Sequence, residues 1–164
     1  MPLALIKGPE AKMASLLRKI ERGRGNDVIA ESFLKLLSKN QDHLDKLMPR
    51  IIGCLRKEDI NTLKYSTHLL RKIAQIDLEQ VSDCAPLLIE ILRKPPKPGE
   101  QEIRENSAIL INYLAKVNPE IVQNAMPVLI GCFDDLYSTV RRISYSTLLS
   151  IASERPEYMD KSIP

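Results

Sequence analysis

A proline recurs at nearly constant spacing along this chain of 164 residues, and each copy closes a similar short pattern. The steps between successive prolines are 37, 41 and 37 residues, and the positions are Pro49, Pro86, Pro127 and Pro164. The residues nine positions before them are Asn40, Asp77, Asn118 and Arg155. A period of this length is typical of arrays in which similar structural units stack on their neighbours. The period therefore favours a repeat architecture.

Helix signals surround each proline. Asn40, Asp77 and Asn118 have side chains that accept a hydrogen bond from free amides at a helix start, so we expect three N-caps. Arg155 does not fit that pattern. Pro119 and Pro156 suit a first helical position, whereas the recurrent proline falls further inside the helix and removes one backbone bond. We therefore expect a kinked first helix in every complete repeat except the first.

A second helix follows in each repeat, with apolar or small residues at helical spacing. The predicted buried faces are Thr62, Ser66, Leu69, Leu70 and Ile73; Ile103, Ser107, Leu110, Ile111 and Leu114; and Val140, Ser144, Thr147, Leu148 and Ile151. The sequence therefore predicts an all-α fold of about four helix pairs plus the start of a fifth.

The repeats form one predicted domain over residues 1–164, with units at about 9–40, 41–77, 78–118 and 119–155 and a partial unit at 156–164. The first unit lacks the internal proline and is expected to cap the array, with its second helix starting at Asn26-Asp27. Pro164 falls where a new first helix would bend. We therefore expect the chain to be part of a longer array.

These units resemble HEAT repeats, through the proline-bent first helix and through Asp135, which stands five residues before Val140-Arg141. The resemblance implies a right-handed α–α superhelix, or solenoid, with the second helices lining a concave face. An armadillo unit usually has a third helix, for which about 37 residues leave little room. HEAT proteins are known as scaffolds and adaptors, so the resemblance also implies a non-catalytic, partner-binding role.

Residue types that carry catalysis or bind metals are sparse. His43 and His68 are not spaced as zinc ligands, and the chain has no phosphate-binding glycine loop. Cys54 and Cys132 occupy one repeat position inside apolar runs, which predicts core thiols, and Cys84 has no histidine nearby in sequence to activate it. We therefore expect no enzyme activity, no cofactor and no metal.

Composition limits compartment and partner. Three cysteines leave one unpaired in any disulfide scheme, which favours a reducing, cytoplasmic location, and no apolar run approaches the length that spans a membrane. Residues 1–25 contain six basic and two acidic side chains, a pattern typical of a solvated helix face. Aromatic residues make up 4% of the chain and tryptophan is absent, so little is available for stacking on bases.

The functional hypothesis is a protein or peptide partner, in particular an acidic helix or extended segment, held on the concave face of the second helices. The candidate contacts are Lys35, Lys64, His68, Arg71, Arg104, Asn112, Arg141 and Tyr145. Arg104 and Arg141 have an equally weighted alternative role, which is to tie neighbouring repeats together through acidic partners.

The alternative function is nucleic-acid binding. A DNA-glycosylase branch of HEAT-like proteins binds duplex DNA in its concave face, and here the basic N-terminal helix and the concave basic residues would provide the contacts. Mixed polar and apolar rows along the second helices favour a protein ligand over a phosphate track. The proline-rich segment from Arg93 to Glu100 is interpreted as a stiff spacer rather than as a ligand for an aromatic groove.

Overall fold

The computed structural model describes residues 8–160, and within that range the chain is helical and contains no strand. This confirms the predicted all-α class. The described helices form two compact units, an N-terminal unit that extends to Leu69 and a C-terminal unit that begins at Leu70. The boundary between the two units lies within the fourth α-helix. In the described part of the chain, no helix is long and apolar enough to cross a membrane.

The α-helices follow one another as the predicted pairs. Their bounds are α1 Pro9–Glu21, α2 Asp27–Lys39, α3 Leu44–Cys54, α4 Ile60–Ile76, α5 Ala85–Arg93, α6 Gln101–Ala115, α7 Pro119–Gly131, α8 Ser138–Glu154 and α9 Glu157–Asp160. Short 3-10 segments precede α3 and α5 and follow α7, at Gln41–His43, Leu78–Cys84 and Cys132–Asp134. The proposed bend at Pro164 lies outside the described residues, and the right-handed superhelical path of the whole chain stays a prediction.

Two of the three predicted N-caps are confirmed. The side chain of Asp77 accepts a hydrogen bond from the Glu79 amide, and that of Asn118 accepts one from the Glu120 amide. The prediction for Asn40 is wrong, because its side-chain amide instead donates to the Leu36 carbonyl, 2.8 Å away, at the end of α2. Asn40 thus serves the helix that precedes it.

The recurrent prolines differ in their surroundings. Pro49 and Pro127 lie inside α3 and α7 as expected. Pro86 does not bend a continuous helix, because residues 78–84 form a 3-10 segment and Pro86 is the second residue of α5. A proline at this position disrupts nothing, since the first helical amides have no partner within the helix. The predicted kinked helix is therefore wrong for this repeat.

The predicted second-helix faces form the core. All fifteen residues named above for α4, α6 and α8 are at most 6% exposed. In the C-terminal unit, α6 packs against α5, α7 and α8, and α7 packs against α5. The repeat therefore positions two successive second helices, α6 and α8, side by side.

In the N-terminal unit, Asn61 at the start of α4 binds the loop between α1 and α2. Its side-chain oxygen accepts from the Gly25 amide at 2.9 Å, and its side-chain nitrogen donates to the Gly25 carbonyl at 3.0 Å. A Cβ on Gly25 would lie 2.8 Å from Cδ2 of Tyr65, so only glycine allows this close approach. The loop is thus held by both backbone groups of one residue.

We predict that Asn61→Ala lowers the free energy of unfolding by about 1–3 kcal/mol, because it leaves the part-buried Gly25 backbone groups unpaired. Urea unfolding followed by circular dichroism measures the change. Gln123→Ala, at an exposed site on α7, is the control and should change stability by less than about 0.5 kcal/mol. Equal stability of the two variants would contradict the assigned role.

Candidate functional site

Arg104, one of the candidate contacts, is buried. It is 2% exposed, and its Nε donates to Oδ2 of Asp135, 2.9 Å away, with Nη2 donating to the same oxygen. Asp135 is 4% exposed, and its second oxygen accepts from the Tyr137 amide at 3.0 Å. The prediction that Arg104 contacts a partner is therefore wrong, and the alternative role, linking neighbouring repeats, is correct.

The remaining Arg104 donors complete the end of α5. They bind the carbonyls of Ile91 and Lys94, each at 2.9 Å, and that of Leu92 at 3.1 Å. The last carbonyls of a helix have no partner within it, so the guanidinium supplies the missing donors. The loop that follows α5 is anchored further on, where the Tyr137 hydroxyl donates to the Lys97 carbonyl.

The acidic residues Asp134 and Asp135 stand before a helix but do not begin it, since Asp134 ends a 3-10 segment and α8 begins only at Ser138. Both oxygens of the Asp135 carboxylate accept hydrogen bonds, Oδ2 from Arg104 and Oδ1 from the Tyr137 amide. Asp135 is therefore a buried structural anchor between two repeats.

We predict that Arg104→Ala lowers the free energy of unfolding by about 3–5 kcal/mol, because it leaves the Asp135 carboxylate buried without a counter-charge. Chemical denaturation of the purified chain tests this. Arg93→Ala is the matched control, since Arg93 forms an exposed pair with Glu90 and its loss should cost about 1 kcal/mol or less. Similar losses of unfolding free energy in the two variants would show that the buried pair stabilises the fold no more than the exposed pair does.

Arg141 and Tyr145 are both exposed on α8, four residues apart and so on one face of the helix. Arg141 donates to the carbonyls of Asp135 and Leu136, so it also supports the loop before α8. The Tyr145 ring packs edge-to-face on Phe133, with 5.9 Å between ring centroids. Together with Arg142, these three side chains line an open depression of about 550 Å³.

A separate groove of about 290 Å³ runs between α6 and α8. It is lined by Ile109, Asn112, Tyr113, Arg142, Ile143 and Ser146. Ile109, Asn112 and Tyr113 stand at i, i+3 and i+4 on α6, so they share one helix face. The Asn112 side chain donates to the Thr147 hydroxyl at 2.7 Å, which joins the two helices at the base of the groove.

Arg71 belongs to α4 and contacts α6 one turn before this face. Its Nη1 is 3.4 Å from the side-chain oxygen of Asn106, which stands one turn before Ile109. The Nε of Arg71 is buried and has no hydrogen-bond partner among residues 8–160. We name the set Arg71, Ile109, Asn112, Tyr113, Arg142 and Ile143 the second-helix surface; of the predicted residues, it brings together only Arg71 and Asn112.

The other candidates belong to the N-terminal unit. Lys35 is exposed on α2, and Lys64 and His68 are half-buried on α4. The Lys64 ammonium lies 5.3 Å from the centre of the Tyr65 ring. The basic side chains of α1 that the structure describes, Lys12, Arg18 and Lys19, are exposed, as expected for a solvated face, whereas Lys7 lies outside the described residues.

Tyr113, Ile109, Arg142 and Ile143 were not predicted as site residues. Aligning equivalent positions of the second helices selected Asn112 and Arg141, each of which is directly followed in sequence by one of the missed residues, Tyr113 and Arg142. The neighbouring position on each helix would have identified these two. Nothing in the sequence alone distinguishes the two choices, because exposure on α6 and α8 depends on how the helices rotate against each other.

All three thiols are buried, which confirms the core positions predicted for Cys54 and Cys132. Burial raises the pKa of Cys54 to about 11, with a further contribution from Glu21, and raises that of Cys84 to about 12, with one from Asp83. Burial, followed by Asp135, also raises the pKa of Cys132. Among the described residues, no three His, Cys, Asp or Glu side chains form a cluster that could hold a metal ion.

We predict that the native protein reacts slowly with a thiol-specific disulfide reagent at pH 8. The nucleophile is the thiolate, and a pKa of about 11 or 12 leaves under about 1% of a thiol ionised at that pH. In denaturant, all three thiols should react at the rate of a free cysteine. Rapid reaction of one thiol in the native state would reveal an activated cysteine.

Comparison with known proteins supports the fold. No family model matches the chain, and no curated protein matches it. A crystal structure of an engineered protein is similar, with a TM-score of 0.59 and 17% sequence identity, over 96% of this chain and 64% of that one. The chain thus spans less than two thirds of the engineered protein's length. At this level of identity the similarity shows the fold alone.

Proposed function

We propose that the chain is a non-catalytic scaffold or adaptor that holds an acidic, amphipathic segment of a protein partner on the second-helix surface. The observation that supports this function is an apolar strip of Ile109, Tyr113 and Ile143, which has Arg71 beyond one side and Arg142 beside the other. Surfaces that combine aromatic or aliphatic anchors with arginine are typical of protein interfaces.

The apolar strip supplies the contact area. Ile109, Tyr113 and Ile143 are each partly buried, so the exposed part of each side chain remains for a ligand. Tyr113 offers a rigid ring with a polar end, a combination common among residues that dominate binding energy. An open groove between two helices accommodates a helix or an extended segment better than a small molecule, which needs deeper enclosure.

The charges favour carboxylates in the ligand. Arg142 is exposed, and none of the ion pairs among residues 8–160 includes it. Arg71 adds a second, partly buried positive charge. Glu105 stands one turn before Ile109 and accepts a hydrogen bond from Gln101. Since like charges repel, the acidic groups of the ligand should lie towards the two arginines and away from Glu105.

The HEAT assignment and the cytoplasmic location belong to the same proposal. Consecutive helix pairs with prolines inside α3 and α7 fit HEAT units, and the structural link that Arg104 makes to Asp135 is a feature the resemblance implied. Buried thiols with raised pKa values fit a binding protein whose cysteines serve packing.

Photo-crosslinking tests the proposal. A benzophenone amino acid replaces Tyr113 in one protein and Gln123, exposed on α7, in the control. We expect a covalent adduct with a partner protein from position 113 and none from position 123. Adding Ile109→Asp should reduce this adduct at least about tenfold, because the bound ligand would remove water from a charge placed in the apolar strip, which is unfavourable. Equal labelling from both positions, or an adduct that survives Ile109→Asp, would contradict the assigned surface.

The nucleic-acid alternative is tested on the same proteins. Fluorescence anisotropy with duplex DNA and with RNA at several salt concentrations measures the number of phosphate contacts. The scaffold proposal expects weak binding with a shallow salt slope. Tight binding that falls steeply with salt, and that is lost when Lys12, Arg18 and Lys19 are replaced by alanine, would overturn the scaffold function in favour of nucleic-acid binding.

A further inference from the structure

The loop between α5 and α6 is longer than a connection between two helices of this array requires. It comprises residues 94–100, whereas residues 55–59 join α3 to α4, and residues 135–137 join the 3-10 segment after α7 to α8. Shorter loops therefore make the same connection in other repeats, so a spacer role does not explain the extra length. Insertions into repeat arrays often lie on a binding face.

The backbone of Lys94–Pro98, which we name the proline segment, is extended in the manner of a polyproline II helix. Lys94 has φ −66° and ψ 145°, which are the values of that helix. A proline ring fixes φ near the same value, and a residue that precedes a proline is held extended. Pro95 meets both conditions and Lys97 meets the second, so the sequence itself favours this conformation.

Hydrogen bonds hold both ends of the proline segment. The Lys94 carbonyl accepts from Nη1 of Arg104 at 2.9 Å, and the Lys97 carbonyl accepts from the Tyr137 hydroxyl at 2.5 Å. The Lys97 amide donates to Oε2 of Glu100 at 3.1 Å, and the Glu100 amide donates to the Lys97 carbonyl at 3.2 Å. The segment is thus ordered without a ligand, so binding it costs little further conformational entropy.

The proline segment presents two edges outwards. A polyproline II helix has three residues per turn, so residues three apart share an edge. Lys94 and Lys97 form one edge, Pro95 and Pro98 form a second, and all four residues are exposed. Pro96 belongs to the third edge and is partly buried, as expected for the edge that faces the protein. The outward edges are therefore one of prolines and one of lysines.

The lysine edge carries charge that the protein itself does not neutralise. None of the ion pairs among residues 8–160 includes Lys94 or Lys97, whereas the neighbouring Arg93 pairs with Glu90. Two ammonium groups on one edge favour a ligand surface with carboxylates at the matching positions.

Stacking of the repeats leaves the proline segment uncovered. Within the C-terminal unit, α7 packs on α5 and α8 packs on α6, and in that arrangement both outward edges stay exposed. The segment lies in a loop that joins the two helices of one repeat, and a helix pair that packed on α7 and α8 would not contact it. A different molecule is therefore needed to cover these edges.

We infer that the proline segment is a ligand for a domain of another protein, one with an aromatic-lined groove bordered by acidic residues. Grooves of this kind recognise polyproline II segments because the helix is formed in advance and its proline rings pack on flat aromatic side chains. Pro95 and Pro98 fill the groove, and Lys94 and Lys97 pair with its acidic border. In this role the chain is itself the bound partner, independently of the second-helix surface.

The test uses the full chain and a panel of purified SH3 domains, which have such aromatic grooves, chosen for acidic residues beside the groove. We expect at least one domain to bind in isothermal titration calorimetry, with a dissociation constant of about 10–500 µM. Pro95→Ala combined with Pro98→Ala should weaken this binding at least about tenfold, because it removes both rings of the proline edge. Lys97→Glu should weaken it at least about fivefold through repulsion from the acidic border.

Pro49→Ala and Lys116→Glu are the matched controls, because they replace an exposed proline and an exposed lysine outside the proline segment. Both should leave the dissociation constant within about twofold, and circular dichroism verifies that each variant is folded. Failure of every SH3 domain to bind would overturn the proposal. Binding that is lost in Lys97→Glu but retained in the double variant of Pro95 and Pro98 would also overturn it, in favour of a purely electrostatic contact.

Discussion

The buried pair of Arg104 and Asp135 is the interaction on which the C-terminal unit most depends. Removing two charges from water is costly, and a pair recovers that cost only when its remaining donors and acceptors are also bonded. Here the guanidinium also binds three carbonyls at the end of α5, and the carboxylate also accepts the Tyr137 amide. The pair therefore fixes three segments relative to one another: the end of α5, the interior of α6 and the approach to α8.

The position of α8 determines two open depressions of the C-terminal unit. The helix presents Ile143 to the groove it shares with α6, and it presents Tyr145 and Leu149 on another side. Arg142 lies between the two and lines both depressions. A ligand in the groove would therefore also alter the electrostatic surroundings of the other depression.

Sequence patterns predicted the core well because burial on a helix repeats with the helical period. They predicted caps less well: Asn118 and Asn40 have the same side chain, but that of Asn40 donates backwards to the Leu36 carbonyl, and the sequence pattern does not distinguish the two positions. They could not decide the role of Arg104, because its partner Asp135 lies 31 residues away and the pattern of α6 does not show which neighbour covers it. The groove residues Ile109 and Tyr113 were missed because their exposure is set by packing between helices.

Between the repeats α5–α6 and α7–α8, Phe133 replaces Leu92 and Tyr145 replaces Ala108, and this exchange bears on how such an array can grow. Tandem duplication of the segment from α7 to α8 would set the new copy against two rings in place of a leucine and an alanine. Overpacking of this kind forces side chains off their preferred rotamers or moves the backbone. The pair α7–α8 is therefore not interchangeable with α5–α6, and a lineage that lengthened the array at this point would first have had to reduce both side chains.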